Sequence, residues 1–149
     1  ILVDRENCVV LSDFGHHPTA IEGTLQSLRA RWPGYRLIAS FEPRSNTAVT
    51  NVFEDRFADA LAHADLALFG AVHRAEKIPE DKRIDPQAMI RRIENAGKTA
   101  FAFSENSEIA DFLESEVKDS IPTLVVFFSN GSFDGVIDRV AQSLSVTKV

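Results

Sequence analysis

The chain has 149 residues, of which 44% are hydrophobic and 26% charged, which is typical of a soluble globular domain with its own core. Its net charge of −6 argues against nonspecific binding to nucleic acid, and no apolar run reaches the roughly 20 residues of a membrane span. The single cysteine, Cys8, excludes an internal disulfide framework and a CxxC zinc site, and it fits a reducing compartment.

Short apolar runs and segments with helical spacing alternate along the chain. The runs have the length of buried strands, and they cover residues 8–11, 35–41, 65–70, 99–103 and 123–128. The amphipathic stripes that follow them comprise Ile21, Leu25, Leu28 and Trp32; Phe53, Phe57 and Leu61; Met89, Ile90 and Ile93; Ile109, Phe112, Leu113 and Val117; and Phe133, Val136, Ile137, Val140 and Leu144.

The first helices carry start signals. Pro18 fits the first turn of the first helix, in competition with a capping box at residues 19–22. A second candidate box pairs Asn51 with Glu54. At the N-terminus, residues 1–3 are expected to pair with the first run through a polar turn.

The third helix is expected to open at Asp85 and Pro86 and to close at Gly97. The charged run 76–83 is expected to be a solvated loop. Strands that alternate with helices predict an α/β, Rossmann-like three-layer domain that spans residues 1–149. Its sheet is expected to be mostly parallel, with five to six strands and helices on both faces.

Polar segments follow each predicted strand. They cover residues 12–17, 42–47, 71–77, 104–107 and 129–132. In an open α/β sheet, ligands bind outside the carboxyl ends of the strands, so these segments are expected to meet at one edge. Their His, Arg, Ser and Asn residues predict a site for a polar, anionic ligand.

The first segment contains the motif SDFGHHP and allows three interpretations. A metal site is the weakest, because neighbouring histidines seldom bind one ion and no HExxH motif is present. A structural turn would have Asp13 as a cap, Gly15 in an unusual backbone conformation and Pro18 at the helix start. The functional interpretation is that Asp13 accepts hydrogen bonds from ligand hydroxyls, while His16 and His17 donate to phosphate or carboxylate oxygens.

The second segment contains the motif FEPRSNT. Arg44 is suited to a bidentate contact with a carboxylate or phosphate, and Asn46 and Thr47 add neutral hydrogen-bonding groups. The alternative is a surface arginine beside a helix cap. Both interpretations remain open from the residues alone.

The last segment contains the motif FFSNGS. Ser129, Asn130 and Ser132 lead into a predicted helix whose amides could hold an anion, although a plain helix cap is the better explanation of the motif taken alone. No GxGxxG follows the first strand, and no GxxxxGK[ST] occurs anywhere. If ATP is bound, its triphosphate must therefore be held mainly by another part of the protein.

These motifs carry a resemblance to a known family. SDFGHHPTAIEGTLQSLRARWPG resembles the opening of the C-terminal domain of the bacterial Mur ligases, which use the pattern D-[YF]-[GA]-H-H-P. FEPRSNT, AVHRAEKIPEDKRIDP and FFSNGSFDG are similar to the muropeptide-recycling branch, whereas the L-alanine-adding branch typically has a Phe-Gln-Pro-His-Arg sequence in place of FEPRSNT. The resemblance runs from about Ser12 to Leu144. One departure is Ser12, where the family usually has a first Asp before Asp13.

The resemblance implies an ATP-dependent, cytoplasmic, amide-forming ligase. It would join the murein tripeptide L-alanyl-γ-D-glutamyl-meso-diaminopimelate to UDP-N-acetylmuramate through an acyl phosphate. ATP and Mg²⁺ would be bound mainly by a central domain, and the UDP-sugar by an N-terminal domain. The present chain, which begins without Met, would be the third domain and would be inactive alone. No nucleic acid and no membrane is implied as a partner.

The resemblance also implies roles for individual residues. The nucleotide would be bound by Asp13, at its ribose, and by His16. The substrate-binding set would comprise His17, Arg44, Asn46, Thr47, Ser129, Asn130 and Ser132, with no metal ligand and no certain catalytic residue. Two alternatives remain: an L-alanine-adding ligase, and a noncatalytic Rossmann-like module that binds a nucleotide or peptide.

Overall fold

The computed structural model describes residues 1–45 and 48–146. The strands are Val3–Arg5 (β1), Cys8–Asp13 (β2), Arg36–Phe41 (β3), Leu66–Phe69 (β4), Thr99–Ala102 (β5) and Thr123–Phe128 (β6). The helices are Pro18–Arg31 (α1), Glu54–Leu61 (α2), Pro86–Asn95 (α3), Asn106–Glu116 (α4) and Val136–Leu144 (α5). Within the described residues, no helix is both long enough and apolar enough to cross a membrane.

The strands form one sheet in the order β1-β2-β6-β3-β4-β5. Only the pairing of β1 with β2 is antiparallel among these neighbours, which confirms the expected mostly parallel sheet. Asp13 and Phe41 both pair with Phe128, so three strands end at the same level. The loops that follow β2, β6 and β3 therefore leave the sheet side by side.

The two faces of the sheet are covered by different helices. Alternate residues of β6 separate between them: Leu124, Val126 and Phe128 pack with α1, α2 and α3, whereas Val125 and Phe127 pack with α4 and α5. Every residue of β6 is buried, which explains why its sequence is a continuous apolar run without polar alternation. Burial of each large apolar side chain stabilises the fold by about 1.5–3 kcal/mol.

The structure shows which of the predicted capping residues begin helices α1 and α2. His17 is the N-cap of α1, and Pro18 occupies the first turn, so the box at residues 19–22 does not form. The predicted Asn51–Glu54 box is also wrong. The N-cap of α2 is Phe53, and the Glu54 carboxylate instead accepts a hydrogen bond from the amide of Asp85 at 2.7 Å. Glu54 thus connects α2 to the start of α3.

The start of α3 agrees with the sequence. The Asp85 carboxylate accepts a hydrogen bond from the amide of Gln87 at 3.0 Å, and Pro86 is the first helical residue. Gly97 follows the helix with φ = +85°, the left-handed conformation that glycine adopts without steric cost. The run 76–83 forms two short 3-10 turns whose side chains are mostly exposed.

Several predicted boundaries differ from the structure, and β2 continues through Ser12 and Asp13, beyond the predicted run 8–11. Strand β1 lies two residues later than expected, at Val3–Arg5, which shortens the turn before β2. Phe133 was assigned to the last helical stripe but precedes α5. Phe133, Asp134 and Gly135 all have positive φ values, of 56°, 54° and 80°. The Phe133 ring is nevertheless buried, with an edge-on contact to Phe127 at 5.8 Å between ring centroids.

Candidate functional site at the carboxyl edge of the sheet

The loop after β6 lies between the loops after β2 and β3. The Ser129 amide donates to the Asp13 carbonyl at 3.2 Å, and the Glu42 amide donates to the Phe128 carbonyl at 3.1 Å. Backbone hydrogen bonds therefore continue beyond the ends of the strands. They bring together three of the segments in which candidate site residues were predicted.

The loop after β2 is stabilised by short-range hydrogen bonds. Asp13 Oδ1 accepts from the Gly15 amide at 2.5 Å, and Oδ2 accepts from the Thr24 hydroxyl at 3.3 Å. Gly15 does not adopt a positive φ, so the predicted unusual backbone conformation is wrong. A Cβ atom there would instead lie 2.8 Å from Asp13 Oδ1. The interpretation that Asp13 caps α1 is wrong, because His17 occupies the cap. Asp13 is half-buried at the end of β2, where the loop begins.

The two adjacent histidines use the same ring nitrogen, Nδ1, in opposite hydrogen-bonding roles toward the backbone. His16 Nδ1 lies 3.0 Å from the Phe14 carbonyl oxygen, which can only accept, so Nδ1 carries the proton. His17 Nδ1 accepts from the Thr19 amide at 3.4 Å, so Nε2 carries the proton of its neutral ring. The neutral rings thus leave an acceptor on His16 and a donor on His17. Both residues are exposed, and the His17 ring packs on Phe53 with centroids 5.4 Å apart.

Arg44 lies in a basic cleft of about 470 Å³. The cleft is lined by Arg44, Val49, His73, Arg74, Lys77 and Ile78. Among the described residues no carboxylate lines it, and Val49 and Ile78 supply its apolar surface. This combination favours a ligand with several negative charges on a short carbon chain. Asn46 and Thr47, which were predicted to bind beside Arg44, lie outside the described residues.

The guanidinium of Arg44 is held on two sides. Its Nη1 donates to His73 Nδ1 at 3.2 Å, which leaves the proton of the neutral His73 ring on Nε2. On the other side it packs against Gly131, where a Cβ atom would lie only 2.6 Å from Arg44 Nε. The His73 amide donates to the Pro43 carbonyl at 2.8 Å. Arg74 follows in the left-handed region, with φ = 52°, a conformation that costs a nonglycine residue some strain.

A buried hydrogen-bond network lies beneath this cleft. Glu42, Asn106 and Ser129 are each at most 5% exposed. Glu42 Oε1 accepts from the Ser129 hydroxyl at 2.6 Å, and Oε2 accepts from Asn106 Nδ2 at 3.1 Å. Asn106 Nδ2 also donates to Asp134 Oδ2 at 2.8 Å, which fixes a residue with positive φ. The network joins the loops after β3 and β6 to the start of α4.

The predicted residues of the last segment are placed differently from one another. The Ser129 side chain is buried in the network, and its oxygen also accepts from the Gly131 amide at 3.0 Å. Asn130 and Ser132 are exposed beside the cleft. The role of all three in substrate binding remains a prediction.

No individual role was predicted for Glu42, Asn106, His73, Arg74 or Lys77, although the His, Arg and Asn residues of their segments were part of the predicted anionic site. All five belong to polar segments that were predicted to meet at the carboxyl edge, and that position was the available signal. Residue type alone did not distinguish a buried Glu or Asn from an exposed one.

Cys8 lies at the start of β2, away from the carboxyl edge, and the described residues contain no cluster of metal ligands. Cys8 is fully buried within β2, and burial raises the pKa of its thiol above the ordinary value. Among residues 1–45 and 48–146, no three His, Cys, Asp or Glu side chains converge as metal ligands.

Comparison with known proteins places these features in a family. The model of the family described as "Mur ligase, glutamate ligase domain" matches residues 2–131. UDP-N-acetylmuramate–L-alanine ligases of Paraburkholderia phytofirmans and Aromatoleum aromaticum are 32% and 31% identical over 138 residues, or 92% of this chain. The chain spans only 29% and 28% of the length of those relatives.

Solved structures show the same fold. A murein peptide ligase from Psychrobacter arcticus is 27% identical, with a TM-score of 0.71 over 98% of this chain and 29% of that one. A domain of a UDP-N-acetylmuramate:L-alanyl-γ-D-glutamyl-diaminopimelate ligase from Haemophilus ducreyi is 24% identical, with a TM-score of 0.67 over 93% of this chain and 92% of that one. The second likeness shows the fold alone. With the match over residues 2–131, the chain belongs to the Mur ligase family and corresponds to its C-terminal, glutamate ligase domain.

Proposed function

We propose that this domain is the third domain of an ATP-dependent ligase of muropeptide recycling. The ligase joins L-alanyl-γ-D-glutamyl-meso-diaminopimelate to UDP-N-acetylmuramate in the cytoplasm. The observation that carries the proposal is the basic cleft, where Arg44, Arg74 and Lys77 surround a space without a lining carboxylate among the described residues. The tripeptide carries several carboxylates, and L-alanine carries one.

The cleft binds and orients the incoming peptide. Arg44 makes a bidentate contact with one carboxylate, and Arg74 and Lys77 neutralise others. The Nε2–H of His73 adds a donor next to Arg44. With its carboxylates held, the tripeptide keeps its free α-amine near the activated muramyl carboxyl, which is the main way that a positioning site accelerates amide formation.

The nucleotide is bound at the loop after β2, and the loop after β6 separates it from the basic cleft. Asp13 has accessible carboxylate lone pairs for ribose hydroxyls, and His16 and His17 lie near the phosphates or the amine. ATP transfers its terminal phosphoryl group to the muramyl lactyl carboxylate, which gives an acyl phosphate and ADP. The amine then attacks the acyl carbon, the bond to the phosphate oxygen breaks, and inorganic phosphate leaves as the amine loses a proton. The triphosphate and Mg²⁺, which neutralises phosphate charge when bound, are held mainly by a central domain, and the UDP-sugar by an N-terminal one.

A second candidate is a UDP-N-acetylmuramate–L-alanine ligase. The observation that favours it is the name of the curated relatives, at 31–32% identity. The cleft argues the other way, because a single small amino acid needs one cation and little volume. A noncatalytic nucleotide- or peptide-binding module is a third possibility, which predicts tight binding by the domain alone.

A competition assay with the full-length protein tests the proposal. The protein receives ATP, Mg²⁺, UDP-N-acetylmuramate, and equal concentrations of tripeptide and L-alanine, and both products are quantified. We expect the tripeptide adduct to dominate. Preference for L-alanine would overturn the proposed substrate and support the second candidate.

The isolated domain provides the companion experiment. Because most ATP contacts are proposed to lie in the central domain, we expect no ligation by residues 1–149 alone and weak binding of ATP by calorimetry. Micromolar or tighter binding of ATP by the domain would instead favour the binding module.

A further inference from the structure

We propose that Glu42 is a positioning residue that holds the guanidinium of Arg44 in the basic cleft and thereby sets the affinity for the anionic amine substrate. The inference rests on the proposed function and deepens it. Glu42 does not line the cleft. It acts through hydrogen bonds with Asn106 and Ser129. Nothing in its residue type or in the resemblance to the Mur ligases assigned it this role.

The first argument concerns charge. Glu42 is 3% exposed, and its carboxylate accepts hydrogen bonds from the neutral groups of Ser129 and Asn106. None of the ion pairs within the described residues includes it. Burial of a carboxylate without a cation generally costs free energy compared with an apolar side chain of similar size. Stability alone is therefore a poor reason for this residue, and the geometry that it imposes is a better one.

The second argument follows the hydrogen bonds on one side of Arg44. The Ser129 hydroxyl donates a hydrogen bond to Glu42, so its oxygen lone pairs are free to accept. They accept a hydrogen bond from the Gly131 amide at 3.0 Å. The position of the Gly131 backbone is thus fixed by its hydrogen bond to Ser129, which Glu42 orients. Because a Cβ atom there would lie 2.6–3.0 Å from Arg44 Nε, Cδ and Cζ, this backbone is the wall against which the guanidinium rests.

The third argument follows the other side. Asn106 donates to Glu42 through Nδ2, and its Oδ1 accepts from the Ala71 amide at 2.8 Å. Ala71 begins the segment that carries His73, whose Nδ1 accepts from Arg44. His73 and Gly131, which contact the Arg44 guanidinium on its two sides, are therefore both linked to the Glu42 carboxylate. The link runs through Asn106 on one side and through Ser129 on the other.

The test uses steady-state kinetics of the full-length ligase. We expect Glu42→Ala to raise the KM for the tripeptide about tenfold, because Arg44 is no longer held, and to change the KM for ATP less than twofold. Glu42→Gln preserves the shape and can hydrogen-bond both Ser129 and Asn106, so its tripeptide KM is expected to stay within about threefold of the wild type.

A double-mutant cycle separates this mechanism from a general loss of structure. In an Arg44→Ala background, Glu42→Ala should raise the tripeptide KM no further, since Glu42 acts through Arg44. A matched control is Thr123→Ala, which removes the part-buried hydrogen bond from a buried threonine to the Ile121 carbonyl at the opposite end of β6. This control is expected to lower the melting temperature without a change in the tripeptide KM.

Ser129→Ala keeps the test decisive if Glu42→Ala does not fold, because it breaks the same link and should give the same KM pattern. Additive effects in the Arg44→Ala background, or equal increases in both KM values, would overturn the inference. The variants are also assayed with L-alanine. A wild-type protein that uses only L-alanine overturns the proposed function, and the Glu42 inference is then decided by the KM for L-alanine.

Discussion

The loop after β2 and the basic cleft are neighbours, but they are built in different ways. In the loop, Asp13, His16 and His17 bind backbone groups two residues away, so a short stretch of sequence holds its own shape. In the cleft, Arg44 is held by His73 and Gly131, which come from different segments. A locally built loop tolerates changes in the rest of the chain, whereas the cleft depends on the whole carboxyl edge.

The largest effect is expected from Arg44→Ala, which removes the centre of the cleft. We expect kcat/KM for the tripeptide to fall about 100-fold, mainly through KM, because a charge-assisted contact is lost and the substrate carboxylate is left without its partner. The KM for ATP should change little. Arg91→Ala, an exposed arginine of α3, is the matched control. An unchanged tripeptide KM in Arg44→Ala would remove this residue from the site.

Gly131→Ala tests the wall beside Arg44. The added methyl would overlap the guanidinium, so we expect the arginine to move and the tripeptide KM to rise about tenfold. Gly23→Ala is the control, because a Cβ there meets no atom within 4 Å. That helix position should instead gain up to about 1 kcal/mol of stability, with both KM values unchanged. Equal KM values for wild type and Gly131→Ala would show that the close packing is unimportant for binding.

Asp13→Ala tests the local loop. We expect the KM for ATP to rise about fivefold, because the proposed ribose contact and the hydrogen bonds to Gly15 and Thr24 are lost together. The tripeptide KM should stay within about twofold, since the cleft does not rest on this loop. A larger effect on the tripeptide than on ATP would contradict the division of the edge into a nucleotide side and a peptide side.

The smallest effect concerns stability in acid, away from both regions. Burial alone would raise the pKa of the Asp65 carboxyl, but hydrogen bonds from Arg29 and the Leu37 amide and the charge of Lys98 hold this pKa below its ordinary value. A depressed folded-state pKa contributes stability above the unfolded pKa of about 4, and that contribution is lost as the pH falls through the folded value.

Thermal melting between pH 7 and pH 3 provides the measurement. Asp65→Asn should lower the stability at pH 7 by no more than about 1 kcal/mol, because solvent screens this half-exposed group, and it should reduce the loss on acidification. Asp59, whose pKa is lowered by the Arg92 guanidinium, is more exposed and should show a smaller effect when changed to Asn. Identical pH profiles for Asp65→Asn and the wild type would refute the assignment.

The sequence was sufficient for those features that depend on local pattern. Continuous apolar runs identified the parallel strands, and Asp13 and Arg44 could be selected because each belongs to a polar segment that follows such a run. In the structure Asp13 ends β2, and Arg44 lies beyond the end of β3. Phe133 was misassigned because it continues the spacing of Val136 and Ile137, and apolar periodicity does not report backbone conformation. The Glu42–Asn106–Ser129 network could not be predicted, since its members are 64 and 87 positions from Glu42 in the chain.

The place of β6 in the sheet also has a consequence for synthesis. Among the described strands β6 comes last in sequence, but it lies between β2 and β3, and the loop that follows it lies between the loops after those strands. While the chain leaves the ribosome, β2 and β3 have no common partner until Thr123–Phe128 is available. Two unpaired edges are exposed during that interval, which makes the nascent domain prone to aggregation and its folding slow. The loops at the carboxyl edge are thus brought together only after β6 has been made.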